Sequence, residues 1–170
     1  RCISRIAPLP TNTATLLVGV TGAGGFPFLA AAKGHPQANG PRGLWQSNDA
    51  GLTWSRLTQV PNADVTDVLR VPGAPNTIIA AVGSIAGAPT NGIWRSTNNG
   101  LNWTQITSGL PAGTLMGRIG LAASPARPGR LYAFISQPCD ATGGGAATRG
   151  LYRSDDSGVT WILASTISAQ

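Results

Sequence analysis

The sequence contains no glutamate, one lysine, one histidine and two cysteines in 170 residues. Glutamate and lysine fill many exposed positions of helices, so their scarcity argues for β structure. The absence of glutamate also removes a common catalytic acid. Cys2 and Cys139 lack the close spacing of metal ligands and His35 has no second histidine, so we expect neither a metal site nor a bound cofactor. A disulfide between the two cysteines stays open and would fit an oxidising compartment.

The sequence also lacks an uninterrupted apolar segment of membrane-spanning length. The uncharged run 16–32 contains four glycines, a proline and a threonine, which indicates a strand followed by a glycine-rich loop rather than a membrane span. The chain begins at Arg1 instead of methionine, so we expect a processed product or an excised fragment. The lack of a signal peptide therefore says nothing about export.

Positive charge exceeds negative charge, but it is not concentrated. The net charge of +6 comes from single arginines spread from Arg1 to Arg153. Nucleic-acid binding requires a clustered basic face, so we expect no nucleic-acid partner. Attraction to an acidic polysaccharide or an anionic cell surface stays open.

The most informative feature of the sequence is an octapeptide that occurs three times. Its copies begin at serines 49 and 58 residues apart, and the period is that of a propeller blade with loops of variable length. The copies are Ser47-Asn48-Asp49-Ala50-Gly51-Leu52-Thr53-Trp54, Ser96-Thr97-Asn98-Asn99-Gly100-Leu101-Asn102-Trp103 and Ser154-Asp155-Asp156-Ser157-Gly158-Val159-Thr160-Trp161.

Short β-branched and aliphatic runs precede each octapeptide and are bounded by proline, glycine and asparagine, as strands joined by tight turns are. Each unit then has four strands, the third ending at the octapeptide serine and the fourth starting near its tryptophan. The predicted fold class is all-β, a β-propeller segment of three four-stranded antiparallel blades that is incomplete as a closed ring. The predicted blades are 1–58, 64–107 and 117–164.

The octapeptide residues are predicted to be structural. The serine and aspartate side chains can hydrogen-bond nearby backbone groups, the glycine allows a turn, and the tryptophan anchors the hairpin. In the second copy Asn98 replaces aspartate, and its amide can still accept a hydrogen bond. The predicted structural residues are Ser47, Asp49, Gly51, Trp54, Ser96, Asn98, Gly100, Trp103, Ser154, Asp156, Gly158 and Trp161.

The pattern Ser-x-Asp-x-Gly-x-x-Trp resembles the Asp-box, or BNR repeat, of bacterial neuraminidases, xyloglucanase-type glycoside hydrolases, sortilin-type receptors and photosystem II assembly factor-like repeat proteins. The resemblance covers nearly the whole chain. It implies a propeller whose Asp-boxes lie on the face opposite the active site. It does not choose a function, because the same blade serves catalysis, receptor binding and assembly.

We expect function on the opposite face, where the loops between second and third strands meet the connections between blades. The long first loop places Phe26, Phe28 and His35 there as candidate binding residues, together with Arg5. Exposed aromatics stack on sugar rings or partners, although packing back onto the blade is the alternative for both phenylalanines.

An enzyme would need a pair of carboxyl groups. Outside the octapeptides only Asp64, Asp67 and Asp140 are available, and Asp67 on an inner strand is the best single catalytic candidate. The resemblance to neuraminidases implies an arginine triad, yet the arginines do not share a column. Aligned by sequence, Arg5 matches Asp67 and Gly120. Arg70 matches Pro8 and Ala123, and Arg118 matches Ile3 and Val65. The tyrosine and glutamate pair of that family is missing.

Two functions remain. The first is a noncatalytic Asp-box propeller segment that serves as a binding or interaction scaffold for a glycan or protein in an exported bacterial protein, extracellular or periplasmic. The second is a fragment of a sialidase-like or xyloglucanase-like glycoside hydrolase. Because propellers close with about four to eight blades, we expect further blades of a longer chain, or a second copy, to complete the ring.

Overall fold

The computed structural model describes residues 2–9, 14–22, 41–139 and 147–166, and these form strands and turns with one three-residue 3-10 helix, Gly113–Leu115. No helix in these ranges is long and apolar enough to cross a membrane. The strands are β1 (Cys2–Pro8), β2 (Leu16–Thr21), β3 (Gly43–Ser47), β4 (Ser55–Arg56), β5 (Val65–Val71), β6 (Ala74–Val82), β7 (Gly92–Ser96), β8 (Thr104–Ile106), β9 (Ile119–Ala123), β10 (Leu131–Ser136), β11 (Thr148–Ser154) and β12 (Ile162–Ser165).

The strands form three separate four-stranded sheets, and each sheet is an antiparallel meander in chain order. The first sheet contains β1 to β4, the second β5 to β8 and the third β9 to β12. All pairs within them are antiparallel. The prediction of an all-β chain with three four-stranded sheets is therefore confirmed.

The sheets pack face to face in chain order, and burial along their strands follows from this stacking. In β10, Leu131, Ala133 and Ile135 are buried and alternate with more exposed residues, because only one face of the third sheet is covered. In β6, every residue from Thr77 to Val82 is buried, because the second sheet is covered on both faces. The described sheets thus make an open stack with two uncovered end faces.

Two hydrophobic clusters hold the stack together. One joins the first and second sheets, and the other joins the second and third. The first cluster contains Ala7, Leu9, Leu17, Leu44, Val60, Val65, Val68, Ile78, Ala80, Val82 and Trp103. The second contains Val71, Ile79, Ala81, Ile93, Met116, Ile119, Leu131, Ala133, Ile135, Tyr152 and Trp161.

Each octapeptide closes on itself between the third and fourth strands of its sheet. In the third copy Ser154 Oγ accepts a hydrogen bond from Gly158 N at 2.9 Å and donates one to Asp156 Oδ1 at 2.7 Å. Asp156 Oδ1 also accepts from Thr160 N at 2.9 Å, and Trp161 Nε1 donates to Gly158 O at 3.3 Å. The first and second copies repeat this set of bonds, with Asn98 Oδ1 in the place of the carboxylate.

The octapeptides lie at the end of the sheets that carries the turns between first and second strands. The fourth residue of each copy has a positive φ of 57 to 60° and donates its N–H to a carbonyl in such a turn or at the start of the strand after it, as in Ser157 N to Gly129 O at 3.0 Å. Since neighbouring strands are antiparallel, the loops between second and third strands lie at the other end.

The first strands of the first and second sheets, β1 and β5, each contain a bulged residue that the first strand of the third sheet, β9, lacks. The sequence repeat did not show this difference. Ser4 in β1 and Thr66 in β5 each lie at a register shift, whereas β9 runs without a shift from Ile119 to Gly120. Each bulged hydroxyl donates to the next sheet, Ser4 Oγ to Val65 O and Thr66 Oγ1 to Ile119 O, both at 2.6 Å. The third sheet has no hydroxyl in this place.

Because β9 lacks this bulge, the predicted alignment of Arg118 with Ile3 and Val65 was wrong. By pairing, Ile119 opposite Ile135 is the equivalent of Ile3 and Val65, so Arg118 lies one position earlier than the sequence alignment placed it. The alignment was wrong because it assumed first strands of equal length. A bulge adds one residue without changing the strands on either side.

Candidate functional site

The loop face is the end of the molecule opposite the octapeptides. Its described parts are residues 21–22, 41–42, 58–64, 84–91, 107–117 and 136–139. These segments contact one another across sheets, for example through Cys139 N donating to Ile85 O at 2.7 Å. The loop face is therefore a continuous surface in its described portion.

Asp64 organises the first part of the loop face. It is buried directly before β5, and its Oδ1 accepts a hydrogen bond from Gly22 N at 2.6 Å. Arg42 Nη1 lies 3.4 Å from both of its carboxylate oxygens. Gly22 and Arg42 flank residues 23–40, so one buried carboxylate is bound to both flanks of the first loop. The sequence marked Asp64 only as a neighbour of Asp67, because these contacts join residues 22 and 42 positions apart.

Asn91 organises the second part and was not singled out from the sequence. It is fully buried, and its amide accepts from Ser84 N at 2.9 Å and donates to Ser84 O at 2.8 Å. The same Nδ2 donates to Met116 O at 2.6 Å. Asn91 therefore closes the loop 84–91 and fixes it to the linker before the third sheet. A buried, fully bonded amide gives this surface a defined shape.

Asp67, the predicted catalytic candidate, lies in the second sheet and contacts both the first and the third sheet. Its Oδ1 accepts from Val68 N at 2.9 Å and lies 3.7 Å from Arg5 Nε. Its Oδ2 accepts from Leu121 N in the third sheet at 2.9 Å. Both oxygens are thus occupied by donors from three strands. Arg5 belongs to this contact, and its side chain is mostly exposed.

The other described carboxylates are occupied as well. Asp49 and Asp156 bind their own octapeptides, and Asp155 forms ion pairs with Arg130 and Arg153. No group of three or more metal-ligating side chains occurs in the described ranges. Within them, no carboxylate is left without polar partners for general acid or nucleophile chemistry.

Local hydrogen bonds lower the pKa of two octapeptide aspartates. The side chain and backbone N–H of Thr53 lower the pKa of Asp49 from 3.8 to about 2. For Asp156, partial burial raises the pKa, but bonds from Thr160 and Ser154 outweigh it and lower the value to about 2. The pKa of Asp155 is also lowered, chiefly by its bond from Arg130.

We expect the melting temperature to fall as the pH is lowered from about 4 to about 2. A carboxylate with a depressed folded-state pKa contributes stability above its unfolded value of 3.8, and this is lost as pH falls towards about 2. The Asp49→Asn, Asp156→Asn double variant should show a flatter dependence, since Asn98 makes the same loop with an amide. Circular dichroism melts of both proteins check this. Equal slopes would show that the octapeptide carboxylates do not carry the effect.

Several predicted residues lie outside the described ranges, namely Phe26, Phe28, His35 and Asp140. Their candidate roles stay predictions. Cys139 is a free cysteine in the structure.

Two of the cavities that border the described residues can be assigned to a face of the fold, and neither of these two resembles a substrate cleft. One on the loop face has a volume of about 20 Å³ and lies beside Asp64, Thr66 and Arg118, which is room for about one water molecule. The other, of about 260 Å³, lies on the outer face of the first sheet and has an apolar lining. It offers no convergent polar groups of the kind that orient a sugar.

Comparison with known proteins supplies the fold. No family model matches the chain, and no curated protein matches it. A solved ancestral GH74 enzyme matches with a TM-score of 0.67 at 17% identity, over 98% of this chain and 19% of that one. A GH74 xyloglucanase from Xanthomonas campestris matches with a TM-score of 0.58 at 20% identity, over 96% and 22%. YCF48 bound to D1 peptide matches with a TM-score of 0.50 at 17% identity, over 95% and 38%.

The three sheets are blades of a β-propeller. The structural neighbours have this fold, and the described sheets do not close a ring. At these identities the similarity concerns the fold alone, and the chain spans about a fifth of the length of the GH74 enzymes. The propeller prediction is confirmed. These matches do not identify a ligand or a reaction for this chain.

Proposed function

We propose that this chain is a noncatalytic Asp-box propeller segment that acts as a binding scaffold for a glycan or a protein through its loop face. The observation that supports this most directly is the occupation of the carboxylates. Asp64 and Asp67 hold segments of the fold together, and neither has a second free carboxylate to act with among the residues that the structure describes. An exported location, extracellular or periplasmic, belongs to the same proposal.

The assignment of the octapeptides as Asp-boxes is part of this proposal. Their serine, aspartate, glycine and tryptophan form one local set of hydrogen bonds in all three copies, at the end away from the loop face. This supports a role in folding for the octapeptides. The loop face is then the candidate binding surface, and its residues differ from one sheet to the next.

The second candidate is a fragment of a glycoside hydrolase. It is favoured by the similarity to GH74 enzymes along nearly the whole chain. In that case residues beyond this chain would supply the missing carboxyl groups. Neither the sialidase form nor the xyloglucanase form is distinguished by the described residues.

A hydrolysis and binding experiment separates the two functions. We expect this chain, joined to the blades that complete its propeller, to release no sugar above buffer from xyloglucan, β-glucan or a fluorogenic sialoside, and its Asp67→Asn variant to behave in the same way, because Asp67 is held by backbone donors. Asparagine preserves the acceptor for Leu121 N, and unchanged melting would confirm the fold. Hydrolysis by the completed propeller would instead establish the hydrolase, and its loss in the variant would assign a role in it to Asp67.

The binding arm uses a xyloglucan oligosaccharide and the D1 peptide as titrants in calorimetry. We expect one of them to bind and Arg118→Ala to weaken it about tenfold, since Arg118 is exposed on the loop face. Arg127→Ala is the matched control, because Arg127 is also exposed and lies in a turn at the octapeptide end. Equal effects of both variants would contradict a site on the loop face. If neither titrant binds, xyloglucan and the D1 peptide are both excluded as ligands of this chain.

A further inference from the structure

The sequence contains three Asn-Gly pairs, Asn39-Gly40, Asn91-Gly92 and Asn99-Gly100. The first pair lies outside the described ranges. In such a pair the backbone nitrogen of glycine can attack the side-chain carbonyl carbon of asparagine, because glycine has no side chain that blocks the approach. The product is a five-membered cyclic imide, and ammonia is released. Whether a pair reacts depends on how firmly the fold holds the asparagine side chain and the glycine nitrogen.

The pair Asn91-Gly92 is held in an unreactive arrangement. Asn91 is fully buried, and its side-chain amide makes three hydrogen bonds, one from Ser84 N, one to Ser84 O and one to Met116 O. The carbonyl carbon can turn towards Gly92 N only if these buried bonds break. We therefore expect Asn91 to stay an amide as long as the chain is folded.

Asn99 is held much less firmly. It is the fourth residue of the second octapeptide, where the backbone has a φ of 58°, and Ala50 and Ser157 have nearly the same φ in the other copies. Asparagine adopts this left-handed conformation more readily than most residues, which explains its presence here. Its Nδ2 makes one hydrogen bond, to Asn76 Oδ1 at 3.2 Å, whereas its buried Oδ1 has no hydrogen-bond partner among the described residues. A single bond therefore restrains this side chain.

The glycine nitrogen of this pair is held by the octapeptide itself. Gly100 N donates to Ser96 Oγ at 2.9 Å, the bond that Gly51 N and Gly158 N make to the serines of their own copies. Attack on Asn99 requires a Gly100 nitrogen that has left this acceptor and lost its proton. The reaction therefore requires the second octapeptide to open, and local opening of a turn requires less free energy than global unfolding.

We propose that Asn99-Gly100 is a deamidation site and that the Ser96 hydroxyl restrains its reaction. In the first step Gly100 N bonds to Asn99 Cγ, the Cγ–Nδ2 bond breaks, and Nδ2 leaves as ammonia with the proton that Gly100 N has lost. In the second step water adds to one of the two ring carbonyls and opens the ring. The product at position 99 is an aspartate or an isoaspartate, and only solvent is consumed. This inference does not depend on the proposed ligand.

The position of Asn99 gives the reaction a structural consequence. An isoaspartate lengthens the main chain between the bond of Asn99 N to Asn76 O at 3.0 Å and the bond of Gly100 N to Ser96 Oγ. The indole of Trp103 donates to Gly100 O at 2.9 Å and packs in the cluster between the first and second sheets. We therefore expect the isoaspartyl form to melt at a lower temperature than the asparagine form.

Peptide mapping by mass spectrometry tests the proposal on the full chain. Trypsin places Asn91 on peptide 71–95 and Asn99 on peptide 96–118. In mildly alkaline buffer we expect the folded chain to acquire the mass shift of an amide-to-acid conversion at Asn99, located by fragmentation, but not at Asn91. A methyltransferase specific for isoaspartate should label peptide 96–118 of the folded chain and leave peptide 71–95 unlabelled. In urea both asparagines should react.

Two variants separate the site from its restraint. Ser96→Ala is expected to speed the reaction at Asn99 at least about fivefold, because loss of the bond to Gly100 N makes the open octapeptide more populated. Asn99→Ser is the matched control, since serine is the residue of the third copy at this position. It should remove the isoaspartate label from peptide 96–118 and leave the melting temperature of the fresh protein unchanged.

The proposal would be overturned if Asn99 stayed an amide in the folded chain over the time in which the chain in urea is converted. Equal rates at Asn91 and Asn99 in the folded chain, or an unchanged rate in Ser96→Ala, would overturn it as well. If Ser96→Ala does not fold, urea below the unfolding midpoint decides the question with the unaltered chain. It should speed the reaction at Asn99 and not at Asn91, and a rate independent of urea would reject the role of octapeptide opening.

Discussion

Replacing Trp161 with alanine is expected to lower the free energy of unfolding by about 3–5 kcal/mol, as removal of a buried tryptophan does. Trp161 is only 2% exposed and packs in the cluster between the second and third sheets. Its indole also donates to Gly158 O, which closes the third octapeptide. The loss would be a large fraction of the 5–15 kcal/mol of a typical domain. Urea denaturation followed by circular dichroism measures it.

The matched control is Trp54→Ala at the same position of the first octapeptide. Trp54 makes the same bond to Gly51 O, but it is 39% exposed because no sheet covers it. At a protein concentration at which the chain is monomeric we expect a loss of about 1 kcal/mol. Equal losses would show that the local hairpin, and not packing between sheets, determines the stability. If Trp161→Ala does not fold, Trp161→Phe provides a milder reduction.

This contrast separates what the sequence could predict from what it could not. The octapeptide could be interpreted correctly as a fold signal because its bonds join residues at most four positions apart, as in Gly158 N to Ser154 Oγ. The strands were predictable for the same reason, since alternating burial and turn residues are local properties. The burial of Trp161 is not local, because it depends on a neighbouring sheet.

The inner strands show the same limit. Whether Thr66 forms a bulge depends on a carbonyl 53 residues away, that of Ile119. No pattern within β5 contains that information, so the prediction misplaced by one residue the part of the third sheet that precedes Gly120, including Arg118. The contacts of Asp64 could not be predicted for the same reason, because its partners Gly22 and Arg42 adjoin strands of the first sheet.

The candidate site was less predictable than the fold. Asp67 was selected as an uncommitted carboxylate on an inner strand, and its bond from Leu121 N, 54 residues away, could not be anticipated. Asn91 carried no signal beyond its position in a turn. The roles of Phe26, Phe28 and His35 stay predictions, because these residues lie outside the described ranges.

A glycine series tests how closely the second and third sheets approach. Gly109→Ala is expected to lower the free energy of unfolding by at least about 3 kcal/mol, through strain and steric overlap together. Its φ is +75°, and an added Cβ would lie 1.6 Å from the carbonyl oxygen of Trp161. Because that oxygen belongs to the backbone, the overlap cannot be relieved by a side-chain rotation.

Two further glycines separate strain from overlap. Gly51→Ala introduces a residue at φ +94° with no atom closer than 3.6 Å, so we expect only the strain of about 1–2 kcal/mol. Gly120→Ala meets nothing within 4 Å and has no positive φ, so the monomer should be unchanged or slightly stabilised. Urea denaturation of the three variants should rank them in this order. A Gly109→Ala variant no less stable than Gly51→Ala would mean that the linker between the second and third sheets does not lie against Trp161, and the packing of these two sheets would then have to be revised.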